Sequence, residues 1–187
     1  MRLALAGTAL SAALIALVYA VVLTDQRLLQ SYNQWSVGSV SGRGTEELRA
    51  VVPFIVGGLL VAFALARTLN ALALGDDSAR ALGAHVGRTR IAGAAAITLL
   101  CGAATAGAGP IYFLGLTVPH MTRAIVGPDQ RWMLVYSAVL GPVLLLAADV
   151  LGRVIARPGE VQVGIVLAFV GAPVFIALVR RRRIAAL

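Results

Sequence analysis

The side chains that could carry out chemistry are few in this sequence. Its 187 residues include eight carboxylates, the histidines His85 and His120, and the lone cysteine Cys101. Lysine is absent, so the chain can form neither a lysine Schiff base nor the phosphate-binding motif GxxxxGK[ST]. No metal-ligand cluster or nucleophile-base motif appears, and His120 is most simply a hydrogen-bonded structural residue. We therefore predict no catalytic residue, no metal and no cofactor, and we do not expect an enzyme.

Asp149 and Arg153 are the charged pair whose spacing is most informative. They lie four residues apart with the acid first, an order that favours an ion pair on one face of a helix. Asp149 also lies within an otherwise apolar run, where an acid is a candidate for moving protons or ions. The local ion pair is the favoured interpretation, and an ion-coupled carrier that uses Asp149 stays open as an alternative.

A second polar group lies in segment 68–90, which reads TLNALALGDDSARALGAHVGRTR. Asp76 or Asp77 can cap a short helix there, and Gly83 can end it in the left-handed conformation. A helix this short needs a partner surface to be stable. The residues alone support two possibilities equally, namely a docking site for another protein and a loop folded against its own bundle.

The elements that position these residues are apolar helices. Hydrophobic residues make up 59% of the chain, charged residues only 13%, and mean hydropathy is +0.89, which excludes an ordinary soluble domain. The long uncharged runs are Ala/Leu/Gly-rich and match the length of transmembrane helices rather than strands. We predict an all-α polytopic transmembrane helix bundle, one domain over 1–187, with spans at about 3–24, 50–67, 91–108, 111–126, 132–152 and 163–179. The span at 111–126 is the shortest and can instead be re-entrant.

The positions of the sixteen arginines predict the orientation of the bundle. With both termini cytoplasmic, eleven arginines face the cytoplasm and five face outward, as the positive-inside rule requires. Four of the eleven form the run Arg180 to Arg183. The net charge of +8 is spread among loops rather than gathered on one soluble face, so nucleic-acid binding is not expected.

Five separated stretches of this sequence resemble one protein family. The chain is similar to the permease subunits of binding-protein-dependent ABC importers of the FecCD type, also called type II, which take up iron–siderophore complexes, haem and vitamin B12. The stretches are GPIYFLGLTVPHMTR at 109–123, RLALAGTALSA at 2–12, LALGDDSARALG at 72–83, LLLAADVLGR at 144–153 and VGIVLAFVGAPVFIALVRR at 163–181.

The resemblance implies a set of partners and a place in the cell. Such permeases have ten spans and lie in the bacterial inner membrane, and this chain resembles the last six spans, so we expect part of a longer permease, a split gene product or a fragment. The implied partners are a cytoplasmic ATP-binding subunit, an extracytoplasmic solute-binding protein, a second permease subunit in a homo- or heterodimer, and the lipid bilayer. An inactive or scaffold membrane fragment is the alternative outcome.

The resemblance also assigns roles to particular residues. Six residues of segment 68–90 match the loop that docks into the ATPase subunit: Gly75, Asp76, Ala79, Arg80, Leu82 and Gly83. Arg153 matches an outward arginine that pairs with acidic residues of the binding protein. The implied function is import of a ferric siderophore, or of haem or cobalamin, by alternating access that a separate ATPase drives. On this basis a cysteine at Ala79 is expected to crosslink to the ATPase.

Overall fold

Helices form all the regular structure of the computed structural model, which describes residues 2–157 and 159–184, with side chains for 5–157 and 159–173. No strand occurs in these ranges, so the predicted all-α class is confirmed. The helices are α1 (Arg2–Val22), α2 (Gln26–Ser36), α3 (Thr45–Ala73), α4 (Asp76–Ala81), α5 (Val86–Ala108), α6 (Tyr112–Val126), α7 (Gln130–Ile155) and α8 (Val163–Ile184).

Helices α3, α5, α7 and α8 are longer than the uncharged runs that predict them, whereas α1 and α6 are not. Helices α1, α3, α5 and α7 are long and apolar enough to cross a membrane. Helix α3 has 29 residues, although the uncharged run within it covers only 50–67. Its extra turns carry Glu46 and Glu47 at the start, because helical hydrogen bonding continues past the point where charged side chains begin. Helix α6 has 15 residues, about 22 Å of helix, which is shorter than the roughly 30 Å hydrocarbon layer.

The chain divides into two compact units, residues 1–36 and 37–187. In the first unit, α2 forms in the segment between the predicted spans 3–24 and 50–67, because its leucines and aromatic residues recur at helical spacing. The ring of Tyr32 lies 5.5 Å from that of Tyr19 and 5.8 Å from that of Trp35. These three aromatic rings pack the end of α1 against α2.

In the second unit, α3 and α5 form an antiparallel pair packed through small residues. Gly58 of α3 lies beside Leu100 of α5, and Gly107 of α5 lies beside Val51 of α3. Alanines rather than large side chains fill much of the interior, namely Ala62, Ala66, Ala96, Ala103 and Ala148. Small residues let helix backbones approach closely where lipid provides no hydrophobic drive for association.

Large apolar side chains point outward from these helices. Leu60 is 66% exposed, Ile97 64% and Leu146 60%. Such a surface is unfavourable in water but is the one that hydrocarbon solvates. The exposure therefore agrees with the multi-pass membrane protein that the composition predicts.

Polar groups gather at two ends of the second unit. At the α4 end, helix α4 connects α3 to α5, and the start of α7 contacts the end of α3. At the strap end, an extended strap of residues 37–41 contacts the last turn of α5 and the start of α8. Helix α7, with 26 residues, runs from the α4 end to Arg153 near the strap end.

Candidate functional site

Helix α4 begins at a glycine rather than at an aspartate cap. Gly75 is the N-cap with φ of 103°, and no side chain caps the helix. The expected cap by Asp76 or Asp77 is therefore wrong, because both acids lie inside the first turn. There their negative charge still favours the positive end of the helix dipole. The left-handed φ of Gly75 lets the chain turn directly from α3 into α4.

The end of α4 is a Schellman motif centred on Gly83. The N–H of Ala84 donates to the carbonyl of Ala79 at 2.9 Å, and the N–H of Gly83 donates to the carbonyl of Arg80 at 2.9 Å. Gly83 has φ of 81°, so the prediction of a left-handed stop is confirmed. With a glycine at each end, a six-residue helix is defined in position even though its length alone gives it little stability.

One side of α4 packs against the bundle. Ala79 is 0% exposed, and the Nη2 atom of Arg90 lies 3.0 and 2.9 Å from the two carboxylate oxygens of Asp76. The ion pair ties the first turn of α4 to the second turn of α5. A cysteine at Ala79 would be inaccessible, so the expected crosslinking position is unsuitable for that purpose.

The other side of α4 is exposed. The side chains of Asp77 and Arg80 form a 2.9 Å ion pair and are 99% and 61% exposed. Leu82 is 67% exposed, and Ser78 is exposed beside it. This side of α4 presents an apolar side chain with charged side chains around it, on a short helix that is fixed to the bundle. Such a surface is suited to protein contact. The buried side of α4 shows that this loop folds against its own bundle, and the exposed side remains available for a partner, so the two possibilities are compatible.

A polar contact between α3 and α7 adds to the α4 end. The Nδ2 atom of Asn70 donates to Oδ1 of Asp129 at 2.8 Å, and the N–H of Gln130 donates to Oδ1 of Asn70 at 2.8 Å. Asp129 also caps α7 by accepting from the N–H of Arg131 at 2.9 Å. These hydrogen bonds, first of all that from Asn70, hold the pKa of Asp129 below its ordinary value. Sequence reasoning missed this contact, although an aspartate after Pro128 and before a periodic run is an N-cap signal.

The ion pair predicted at the strap end is present. The Nε atom of Arg153 lies 2.8 Å from Oδ2 of Asp149, and its Nη1 atom lies 3.5 Å from Oε1 of Glu160. The Asp149 side chain is 15% exposed, whereas the Arg153 side chain is 47% exposed. The involvement of Glu160 was not predicted, because a contact across a loop leaves no periodic trace in the sequence. Arg153 therefore has an exposed edge that a partner can reach.

The remaining reactive residues are separated from each other. His85 is exposed at the N-cap of α5, His120 is half-buried on α6, and Cys101 is exposed on α5. Within the side chains that the structure describes, no three His, Cys, Asp or Glu residues come together as a metal site. The predicted coupling residues lie together at the α4 end, and Arg153 lies at the far end of α7.

Comparison with known proteins agrees with this arrangement. The model of the FecCD transport family matches residues 1–181. The chain is 48% identical over 182 residues to the ferric enterobactin transport system permease protein of Escherichia coli, covering 97% of this chain and 54% of that protein. It is 38% identical over 185 residues to the cobalamin import system permease protein of Halobacterium salinarum, covering 99% and 50%.

A solved structure has the same fold. The structure of a metal-chelate type ABC transporter in an inward-facing conformation matches with a TM-score of 0.82 and 27% identity, covering 95% of this chain and 58% of the other. The chain spans about half the length of the curated relatives it matches. Its relatives are transport permeases, and the family model covers nearly all of its residues. The chain belongs to the FecCD transport family.

Proposed function

We propose that this chain forms part of the membrane-spanning permease of a binding-protein-dependent ABC importer. Its substrate is a metal chelate or corrinoid, with a ferric siderophore as the first candidate and haem or cobalamin next. A separate cytoplasmic subunit hydrolyses ATP, a second permease subunit completes the pathway, and a solute-binding protein delivers the substrate from outside. The six segments predicted from the uncharged runs cross the inner membrane, with both termini in the cytoplasm.

The placement of helix α4, with one side held against the bundle and the other exposed, is the observation that supports this function best. The helix is pinned to the bundle through Ala79 and through the Asp76–Arg90 ion pair, while Ser78 and Leu82 remain exposed. A partner that pushes on the exposed side therefore moves α3 and α5, because α4 has little freedom to yield by itself. In the proposed mechanism, nucleotide-driven closure of the ATPase moves α4, and the attached helices alternate the access of the pathway.

Crosslinking from the exposed side of α4 tests this coupling. In a Cys101→Ser background, Ser78→Cys is expected to crosslink to the ATPase subunit in assembled membranes, with a yield that changes between ATP and no nucleotide. Thr45→Cys, exposed at the strap end, is the matched control and should give no ATPase adduct. Equal yields at the two positions, or a Ser78→Cys yield that ignores nucleotide, would contradict the coupling role.

Docking of the solute-binding protein at Arg153 has its own test. Arg153→Ala is expected to weaken binding of that protein to the assembled permease several-fold, because a carboxylate of the binding protein loses its guanidinium partner. Arg157→Ala removes an exposed arginine four residues away and should change binding much less. If both variants bind equally well, Arg153 is not a docking residue.

The orientation is tested with the same two cysteines. In intact cells, Thr45→Cys is expected to react with an impermeant maleimide, and Ser78→Cys is expected to react only after the membrane is opened. The reverse pattern would place the termini outside. Thr45 is preferable to Ser41 for this purpose, because the hydroxyl of Ser41 is engaged with Glu160.

Substrate transport separates this function from the two alternatives. Uptake of radiolabelled ferric siderophore, haem or cobalamin by the assembled permease should require ATP and the binding protein. An ion-coupled carrier would instead lose all transport in Asp149→Asn and keep it without ATP. The ion pair of Asp149 with Arg153 argues against a carrier, because that carboxylate already has a partner. A scaffold fragment would transport none of the three substrates with all partners present.

A further inference from the structure

The strap of residues 37–41 ties together two helix ends that are distant in sequence. The N–H of Ser39 donates to the carbonyl of Ala108 at 2.8 Å, at the last residue of α5. The N–H of Gly164, at the start of α8, donates to the carbonyl of Gly38 at 3.1 Å. The strap therefore holds the end of α5 and the beginning of α8 in one hydrogen-bonded arrangement.

At two glycines, the strap lies too close to its neighbours for a side chain. A Cβ atom at Gly164 would overlap the carbonyl oxygen of Val37, and one at Gly38 would lie 2.9 Å from the carbonyl oxygen of Pro110. Val163 beside this contact is 1% exposed. Any change in the spacing of α5 and α8 must therefore displace the strap.

The strap is also connected to Arg153 through one side chain. The hydroxyl of Ser41 hydrogen-bonds the carboxylate of Glu160, across 119 positions of sequence. The other oxygen of Glu160 lies 3.5 Å from Nη1 of Arg153, whose Nε is held at 2.8 Å by Asp149. We call these four residues, Ser41, Asp149, Arg153 and Glu160, the clasp.

The two carboxylates of the clasp are not equivalent. The contact of Asp149 with Arg153 is short and the Asp149 side chain is 15% exposed, whereas the Glu160 contact is 0.7 Å longer and its side chain is 48% exposed. Exposed ion pairs add little net stability, so replacing Glu160 by another carboxylate costs little free energy. Arg153 also has more N–H groups than Asp149 alone can use. Glu160 is thus the contact that an incoming acid can replace while Asp149 keeps the guanidinium in place.

We propose that Glu160 is a positioning residue that couples the occupancy of Arg153 to the strap. A carboxylate of the docking partner replaces Glu160 on the exposed edge of Arg153, Glu160 moves away with Ser41, and the strap loosens over α5 and α8. Docking outside is thereby transmitted to the ends of α5 and α8. This inference rests on the proposed docking role of Arg153.

Hydrogen exchange of the strap amides tests the internal link in the full chain in lipid nanodiscs. Glu160→Ala is expected to raise exchange of the Ser39 and Gly164 amides at least about threefold, as loss of an exposed ion pair and a hydrogen bond allows. Arg153→Ala should have a similar effect, and the double variant should exceed neither single variant. Glu46→Ala, an exposed carboxylate in the first turn of α3, is the control and should resemble the wild type. Unchanged exchange in Glu160→Ala, or effects that multiply in the double variant, would overturn the proposal.

A second measurement adds the solute-binding protein of the same transport system to the assembled permease. Bound protein should raise strap exchange in the wild type. Glu160→Gln keeps an oxygen for Ser41 but has no charge for Arg153, so its strap exchange should already be raised without the bound protein, as in Arg153→Ala, and should not rise further when that protein binds. A merely structural role of Glu160 would not produce this difference between wild type and Gln variant.

The outcomes separate the inference from the function on which it rests. If the binding protein docks on the wild type but strap exchange does not change, the coupling through Glu160 is wrong and docking stands. If the binding protein does not dock, the docking role of Arg153 is wrong, and with it the release of Glu160 by a partner. The double-variant result would then still establish whether the clasp holds the strap.

Discussion

Replacing Gly58 by alanine is expected to push α3 and α5 apart, and the adjacent Gly57 provides a matched control. A Cβ atom at Gly58 would lie 2.7 Å from Cγ and 2.9 Å from Cδ2 of Leu100, and 3.3 Å from Cβ of Leu99. A Cβ atom at Gly57 would meet nothing within 4 Å. Both glycines lie in the middle of the same helix, so their substitutions differ mainly in what the new methyl group meets.

The magnitude follows from two opposing contributions. In a helix interior, alanine is more stabilising than glycine by about 0.5–1 kcal/mol, and both variants gain this stability. Carbon atoms normally pack about 3.5–4.0 Å apart, so the Gly58 variant must shift Leu100 by most of an ångström. Overpacking of this kind costs about 1–3 kcal/mol. Gly58→Ala should therefore be less stable than Gly57→Ala by about 1–3 kcal/mol.

Thermal unfolding in detergent micelles, followed by circular dichroism, measures this difference. For a chain of this size it corresponds to a Tm lower by about 2–12 °C in Gly58→Ala than in Gly57→Ala. Adding Leu100→Ala should remove most of the difference, since the side chain that clashes with the new methyl group is gone. Equal Tm values for the two single variants would refute the close packing of α3 and α5 at Gly58.

Three further predictions concern the α4 end and helix α6. Gly83→Ala should destabilise the chain by about 1–2 kcal/mol in thermal unfolding because its φ is 81°, whereas Gly87→Ala, in open space on a helix, should not. Asp129→Asn should be less stable than wild type at neutral pH. The pKa of Asp129 is lower in the folded state than its ordinary value of 3.8. The Asp129 carboxylate therefore stabilises the fold above pH 3.8, and this stabilisation is lost as the pH falls through the folded-state pKa. Plotted against pH, the Tm values of wild type and Asp129→Asn should converge in acid. Thr117→Val should raise stability by about 1 kcal/mol, measured as a higher Tm, because the Thr117 hydroxyl is buried with no hydrogen-bond partner in the described part of the chain; a lower Tm would show that the hydroxyl has one.

The helical class and the left-handed stop at Gly83 could be predicted because they depend on local patterns. Apolar run length and glycine after a short helix act within a few residues. The ion pair of Asp149 with Arg153 was likewise predicted from its spacing of four, and the structure confirms it. The helix bounds were less accurate, because charged side chains end an apolar run before the helix itself ends.

Contacts between distant segments could not be predicted from one sequence. Asn70 meets Asp129 across 59 positions, and Ser41 meets Glu160 across 119. Each of these residues is a common surface type, and its partner depends on how whole helices pack. The burial of Ala79 could not be predicted for a related reason, since the pattern of a six-residue helix is too short to show which side faces the bundle. Even so, the resemblance correctly placed the chain in its family.

The packing of the second unit favours communication between its two polar ends through movement of whole helices. Polar contacts lie at both ends of α7, at Asp129 and at Arg153, whereas the described interior between them consists mainly of small apolar residues. Within that interior, the 3.3 Å contact of Ser137 with Thr122 joins α7 to α6. The closely packed pair α3 and α5 is suited to transmit displacement from one end to the other as a rigid lever. Coupling between the ends should accordingly be more sensitive to a packing change at Gly58 than to a polar substitution on an exposed helix face.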